Sequence, residues 1–179
     1  MIAGRDLLIR PLCPDDAVAY HAQRVRALRE HPEAFGRTPE EVDSVEVWAA
    51  RLREGLDSES DLMLGAFEGS ALVGVAGVYR ERPVKHRHVA YLWGVYVVPE
   101  RRGKDIGRAL VKEAIARVRG WRDLEYLWLD VTTVNTPART LYASIGFTGA
   151  AVKPRCLKVG GRYYDEELMV LDLTSTRTD

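Results

Sequence analysis

From Val89 to Val131 the chain reads as strand, glycine-bearing loop, helix and strand, and that order restricts the folds open to it. HVAYLWGVYVV is a long apolar run that ends at Pro99. Ile106, Leu110, Val111, Ala114, Ile115 and Val118 then recur on one face of a helix over 106–119. Lys112, Glu113, Arg117 and Arg119 lie off that face, and Gly120 is expected to cap the end. LEYLWLDV is a second apolar strand. Two such strands joined by a helix are expected to be parallel neighbours through a right-handed crossover. A chain built round that unit is mixed α/β.

The flanking segments extend the pattern. Leu7 to Pro11 reads as a strand. Asp15 is placed to cap a helix whose stripe is Ala17, Val18, Ala22, Val25 and Leu28, and His31-Pro32 stops it. A second helix is expected from about Pro39 to Leu56, with the stripe Val42, Val45, Trp48, Ala49, Leu52 and Leu56. LMLGAFE and ALVGVAGVYR read as strands joined by a tight turn at Gly69-Ser70. Near Asn135 a short helix begins that Gly146 ends. FTGAAV is a strand candidate, and PRCLKV pairs with RYYDEELMVLDL across Gly160-Gly161.

Composition excludes several partners. Lys+Arg and Asp+Glu number 26 each, so no general charge draws the chain to nucleic acid or to an anionic membrane. Hydrophobic residues are 46% and charged residues 29%, the balance of a soluble globular protein, and 179 residues suit one domain. No apolar stretch is long enough to span a bilayer. MIAGRDLLIRPL lacks the features of an export signal, so a cytoplasmic location is expected. Cys13 and Cys156 are too few and too far apart for a metal or disulfide framework.

The loop VPERRGKDIG carries the chemistry. It joins an apolar strand to a helix N-terminus, where free N–H groups and the helix dipole favour an anion. Gly103 and Gly107 permit close approach, and Arg101, Arg102, Lys104 and Arg108 add positive charge. Physically this is a phosphate or pyrophosphate cradle; the plainer reading is a strand–helix turn with solvated charges. It is not a P-loop, because Val98 and Asp105 stand where a glycine and a Ser or Thr are required. The glycine spacing of a dinucleotide fingerprint is also missing.

VYVVPERRGKDIGRAL resembles the acyl-CoA-binding segment of the GNAT superfamily of N-acetyltransferases. The family pattern maps to Arg102, Asp105 and Gly107, with Asp105 replacing the middle glycine. VNTPARTLYASIGF is similar to the family's later Asn…Ala…Leu-Tyr…Gly-Phe segment, and the EAFG loop and YYDEELMVLDL strand are similar to those of many members. The resemblance covers nearly the whole chain in order. It implies one acetyltransferase domain over 1–179, with a central mixed sheet of about six to seven strands and about four helices. A V-shaped split between the two parallel central strands would hold acetyl-CoA, and no metal is expected.

Site residues are implied the same way. Backbone groups of Val95, Tyr96 and Val97 would pair with the pantetheine arm, as an amide-bearing chain pairs with an open strand edge. Backbone amides from Gly103 through Lys104, Asp105, Ile106 and Gly107 to Arg108 would hold the pyrophosphate, with Arg102 as a phosphate contact. Asp105 opposes that purpose unless it supplies a left-handed turn and sends its carboxylate to solvent or to a neighbouring Arg or Lys. Asn135 is both a family position near pantetheine and a natural helix cap. Tyr142 matches the tyrosine that protonates the departing thiolate; its other reading is an aromatic core residue.

No base is assigned. The central strand holds no carboxylate, and His88, Tyr91 and Glu81 are the candidates considered. The implied activity is acetyl transfer from acetyl-CoA to a primary amine, small or protein-borne, by direct attack in a ternary complex. A homodimer is expected by analogy. The competing reading is a non-catalytic acyl-CoA-binding or regulatory module. The acceptor would be shaped by the first two helices, the loop near Glu33–Glu41 and the last hairpin. There Glu33, Glu40, Glu41, Asp43, Glu46 and Asp165 either attract a cationic amine or form solvated faces.

Overall fold

The computed structural model describes residues 7–174. Part of the N-terminal stretch read for an export signal lies outside it, as do both ends of the expected 1–179 domain. In chain order the elements are β1 (Leu7–Pro11), α1 (Ala17–Glu30), α2 (Val45–Gly55), β2 (Asp61–Glu68), β3 (Ala71–Arg80), β4 (Val89–Val97), α3 (Ile106–Val118), β5 (Tyr126–Thr132), α4 (Thr136–Ile145), β6 (Thr148–Val159) and β7 (Arg162–Asp172). The seven strands form one sheet in the order β1-β2-β3-β4-β5-β7-β6. β4 and β5 pair in parallel, and the other neighbours are antiparallel. The mixed α/β architecture expected from the sequence is present. Among the described residues no helix is long and apolar enough to cross a membrane.

Strand alternation feeds two cores, one on each face of the sheet. Leu64, Ala66, Ala76, Val78, Ala90 and Leu92 pack with α3 and α4. Phe67, Val75 and Tyr96 pack with Tyr20 of α1 and Trp48 and Leu52 of α2. α3 buries all six residues of its expected stripe. Its Leu110 fills space above Gly74 of β3, where an added Cβ would stand 3.0 Å from Leu110 Cδ1.

The feature that makes a site is the brevity of the parallel pairing. β4 and β5 pair only at Val89↔Tyr126, Ala90↔Leu127 and Tyr91↔Trp128. β4 then meets a bulge, because its register with β3 jumps from Gly77↔Trp93 to Val75↔Tyr96. Gly94 takes φ 64° there, a conformation suited to glycine. The extra residue flips the strand's parity: Leu92 faces the α3 core, yet Val95 does too, and Trp93 and Tyr96 face the other. Beyond the bulge β4 and β5 part, and the expected split opens.

Several local expectations are corrected. α1 buries Ala17, Tyr20, Gln23, Arg24, Ala27 and Leu28, whereas Val18 and Ala22 are exposed. A stripe drawn from apolar residues alone misses a face that contains Gln23 and Arg24. Asp15 is exposed; Asp16 instead accepts from the Cys13 N–H at 2.8 Å. Its bond to Arg10 holds the Asp16 carboxyl down at about 2. The second helix starts at Val45, not Pro39, because Ser44 caps it and Thr38 with Glu41 caps a separate 3-10 turn at Pro39–Glu41. Gly120 does not become left-handed; Trp121 turns straight into the core, and Asp123 takes the positive φ instead. FTGAAV and PRCLKV fuse into the single strand β6. A bulge opposite Asp165 absorbs Pro154, with Arg155 at φ 53°.

Candidate active site

The split between β4 and β5 forms a cleft of about 1630 Å³. Ordinary small-molecule pockets measure roughly 300–1,000 Å³, so this one has room for two ligands at once. Its walls come from both faces of the sheet: α1, α2 and the 32–43 loop on one side, the α3 N-terminus and α4 on the other.

The loop after β4 is built as a cradle. A 3-10 turn at Pro99–Arg101 leads to Gly103 at φ 74° and Asp105 at φ 57°, and α3 starts at Ile106. The first helical bond runs from the Ala109 N–H to the Asp105 carbonyl at 2.9 Å. The amides of Ile106, Gly107 and Arg108 precede it and have no partner within the helix. Nothing lies within 4 Å of a Cβ built on Gly103, so the loop is open at that point. Asp105 supplies the left-handed turn, and its side chain is 87% exposed, with Oδ1 3.6 Å from Arg108 Nε. The carboxylate is therefore left to solvent and a neighbouring arginine.

Most of the loop's arginines are committed to the protein. Arg101 Nε donates to Glu68 at 2.6 Å, and Arg108 Nη1 donates to Ser144 Oγ at 2.8 Å. Arg102 Nε donates to the Val97 carbonyl at 3.0 Å, and Nη2 lies 3.0 Å from His31 Nε2. Arg102 thus folds back over β4 in this structure. The positive character of the cradle comes first from backbone amides and the α3 dipole.

Of the residues singled out in the sequence, Val95, Tyr96, Val97, Arg102, Gly103, Asp105, Ile106, Gly107, Arg108, Asn135 and Tyr142 all line the cleft. Lys104 is exposed outside it. Tyr96 Oη donates to Glu30 at 2.6 Å and ties the end of α1 to β4; burial and this bond push its phenol up to about 12. Asn135 Oδ1 accepts from the Ala138 N–H at 3.2 Å, so the helix-cap reading holds. Tyr142 is buried at 8% exposure, edge-on to Phe147 with centroids 5.9 Å apart. Burial raises its phenol well above the ordinary value, so it keeps its proton across the neutral range. Among the three base candidates Tyr91 lines the cleft, while His88 and Glu81 do not.

The acids expected near the acceptor side are largely engaged. Asp43 accepts from Arg51 at 2.7 Å, Glu41 from the Thr38 N–H at 2.7 Å, and Asp165 from the Arg155 N–H at 2.7 Å. Residues not singled out in the sequence also reach the cleft. Thr132 Oγ1 is buried on the β5 wall without a hydrogen-bond partner among the described residues, and Arg24 and Trp93 stand on the opposite side. The sequence carries no signal for Arg24, because Gln23 beside it makes that part of the helix read as a solvated face.

Residues 23–147 match the model of the acetyltransferase (GNAT) family. The chain is 33% identical over 113 residues to N-alpha-acetyltransferase RimI of Mycobacterium tuberculosis, which covers 63% of this chain and 68% of that protein. It is 32% identical over 135 residues to mycothiol acetyltransferase of Thermobispora bispora, covering 74% of this chain and 43% of that one. The chain therefore spans less than half the length of that relative. The yncA structure from Salmonella typhimurium, solved with acetyl-CoA, superposes with a TM-score of 0.83 at 24% identity, over 96% of both chains.

Proposed function

The chain belongs to the GNAT family of acetyltransferases, and on that premise we propose that it transfers an acetyl group from acetyl-CoA to a primary amine by direct attack in a ternary complex. The observation that carries this reading is the cleft. It joins an open β4 edge, an amide cradle at the start of α3 and a buried phenol in one continuous space.

The residues present fit acetyl-CoA. An extended amide-bearing arm suits the edge of β4 from Val95 to Val97, which has left β5 by that point, once Arg102 Nε releases the Val97 carbonyl it holds at 3.0 Å. A pyrophosphate suits the amides between Gly103 and Arg108, where Gly103 leaves open space. Bound there, acetyl-CoA supplies an activated acyl carbon and a sulfur leaving group. Attack by the amine nitrogen forms the C–N bond as the C–S bond breaks. Tyr142 would give its Oη proton to the departing sulfur, and the proton shed by the amine passes to solvent, from which the phenol is restored. The α1–α2 side of the cleft receives and orients the amine. One domain over 1–179 and a cytoplasmic location complete the proposal, with a homodimer by analogy of fold.

Mixing the protein with acetyl-CoA and a panel of amines, while following free thiol, tests the activity. Release above the hydrolysis rate with at least one amine is expected. Binding of acetyl-CoA with no release for any amine would assign the chain to the non-catalytic reading instead.

Asp105 gives a finer test of the cradle. Asp105→Gly removes a solvent-exposed carboxylate from the cradle loop, and it keeps a residue at ease with positive φ. The variant is expected to fold normally and to bind acetyl-CoA tighter by about 1 kcal/mol or less. The gain should be larger at low salt, where screening is weaker. Dissociation constants of both forms at two ionic strengths measure this. A clear loss of affinity would show that Asp105 helps the site, through its hold on Arg108.

A further inference from the structure

Arg24 carries a buried charge that no described residue answers. It is 8% exposed, lines the cleft, and has a fully buried Nη1 with no hydrogen-bond partner among the described residues. The guanidinium lies over the rings of Phe35 and Trp93, at 4.8 Å and 5.6 Å from their centroids. Its Nη1 is 3.7 Å from where a Cβ on Gly94 would stand, so the group sits against the β4 bulge where the split begins. Chiefly through burial its pKa is lowered, and the like charge of Arg37 pushes the same way. Other arginines of the cleft differ: Arg51 has Asp43 at 2.7 Å and Arg101 has Glu68 at 2.6 Å.

An uncompensated guanidinium is unfavourable to bury. Two aromatic faces offset part of that cost but leave the in-plane N–H donors unused. A cation kept this way at a cleft wall is poised for an incoming anion. It lies on the α1–α2 face, with the cluster that holds Tyr20 and Trp48, whereas α3 packs on the other face. The anion it awaits therefore belongs to the acceptor rather than to the group held by the α3 cradle. A carboxylate matches the guanidinium fork with two parallel N–H···O bonds, and an amine that carries one is the simplest acceptor to supply it.

We infer that the acceptor is an amine that also bears a carboxylate, and that Arg24 receives that carboxylate. This rests on the acetyl-transfer reading for the word acceptor, but its test does not. Calorimetry with proteinogenic α-amino acids, each beside its own carboxamide, measures the preference directly, without turnover. The preferred acid is expected to bind about a hundredfold tighter than its amide, as charge-assisted hydrogen bonds to one buried group allow. Arg24→Met should erase that preference and raise the melting temperature of the free protein. Arg24→Lys, which keeps the charge without the fork, should retain part of the preference. A panel with no acid preferred over its amide overturns the inference. So does a preference that survives in Arg24→Met, and a lowered melting temperature with that preference intact assigns Arg24 to packing. Thiol release from acids and amides alike leaves acetyl transfer standing and refutes the role of Arg24. A preference in binding without thiol release for any amine does the reverse.

Discussion

Tyr142→Phe is expected to lower turnover by about 10²–10⁴-fold, the usual range for general acid–base catalysis, and to leave acetyl-CoA affinity near that of the native protein. The substitution removes one hydroxyl and keeps the ring. Tyr142 packs edge-on to Phe147 and is largely buried at the cleft wall, so the apolar contacts of that ring are retained in the variant. Burial keeps the native phenol protonated at neutral pH, so the variant removes a proton and not a charge. Thiol release under saturating amine measures turnover, and calorimetry measures affinity. If turnover is unchanged while chemistry is rate-limiting, Tyr142 is a core aromatic and the departing sulfur takes its proton elsewhere.

Leu110→Ala should produce the largest stability effect. Leu110 is 0% exposed and stands over a glycine, so the residue facing it has no side chain to move into the gap. Truncating a buried leucine costs about 2–5 kcal/mol, at the upper end where the site cannot collapse. For a chain of this size each kcal/mol lowers the melting temperature by about 2–4 °C, so a fall of roughly 5–20 °C is expected. The same residue seats α3 on the sheet, and the α3 N-terminus forms the cradle. Acetyl-CoA should therefore raise the melting temperature of the variant as it does that of the native protein, by mass action. Calorimetric melting with and without acetyl-CoA checks both points. A fall of only one or two degrees would mean that α3 is held mainly by other contacts.

What the sequence determined by itself is the local grammar. The six buried residues of α3 follow from helical spacing, because a helix that crosses a sheet must bury one stripe. Two-residue turns at Gly69-Ser70 and Gly160-Gly161 follow from residues that accept positive φ. Left-handed Asp105 follows from a loop that needs such a residue and has no glycine there. Each depends on neighbours a few positions away, and each was legible.

Tertiary structure alone decided where the cleft opens and what stands in it. The bulge at Gly94 exists only in the register between β4 and β3, and no reading of β4 by itself shows that its parity flips. The fusion of two expected segments into β6 depends likewise on pairing with β7. Arg24 faces inward because Phe35 and Trp93, from a loop and a distant strand, close over it. A hydrophobic pattern treats that position as surface, since the aromatic faces that shelter the charge are brought to it only when the chain folds.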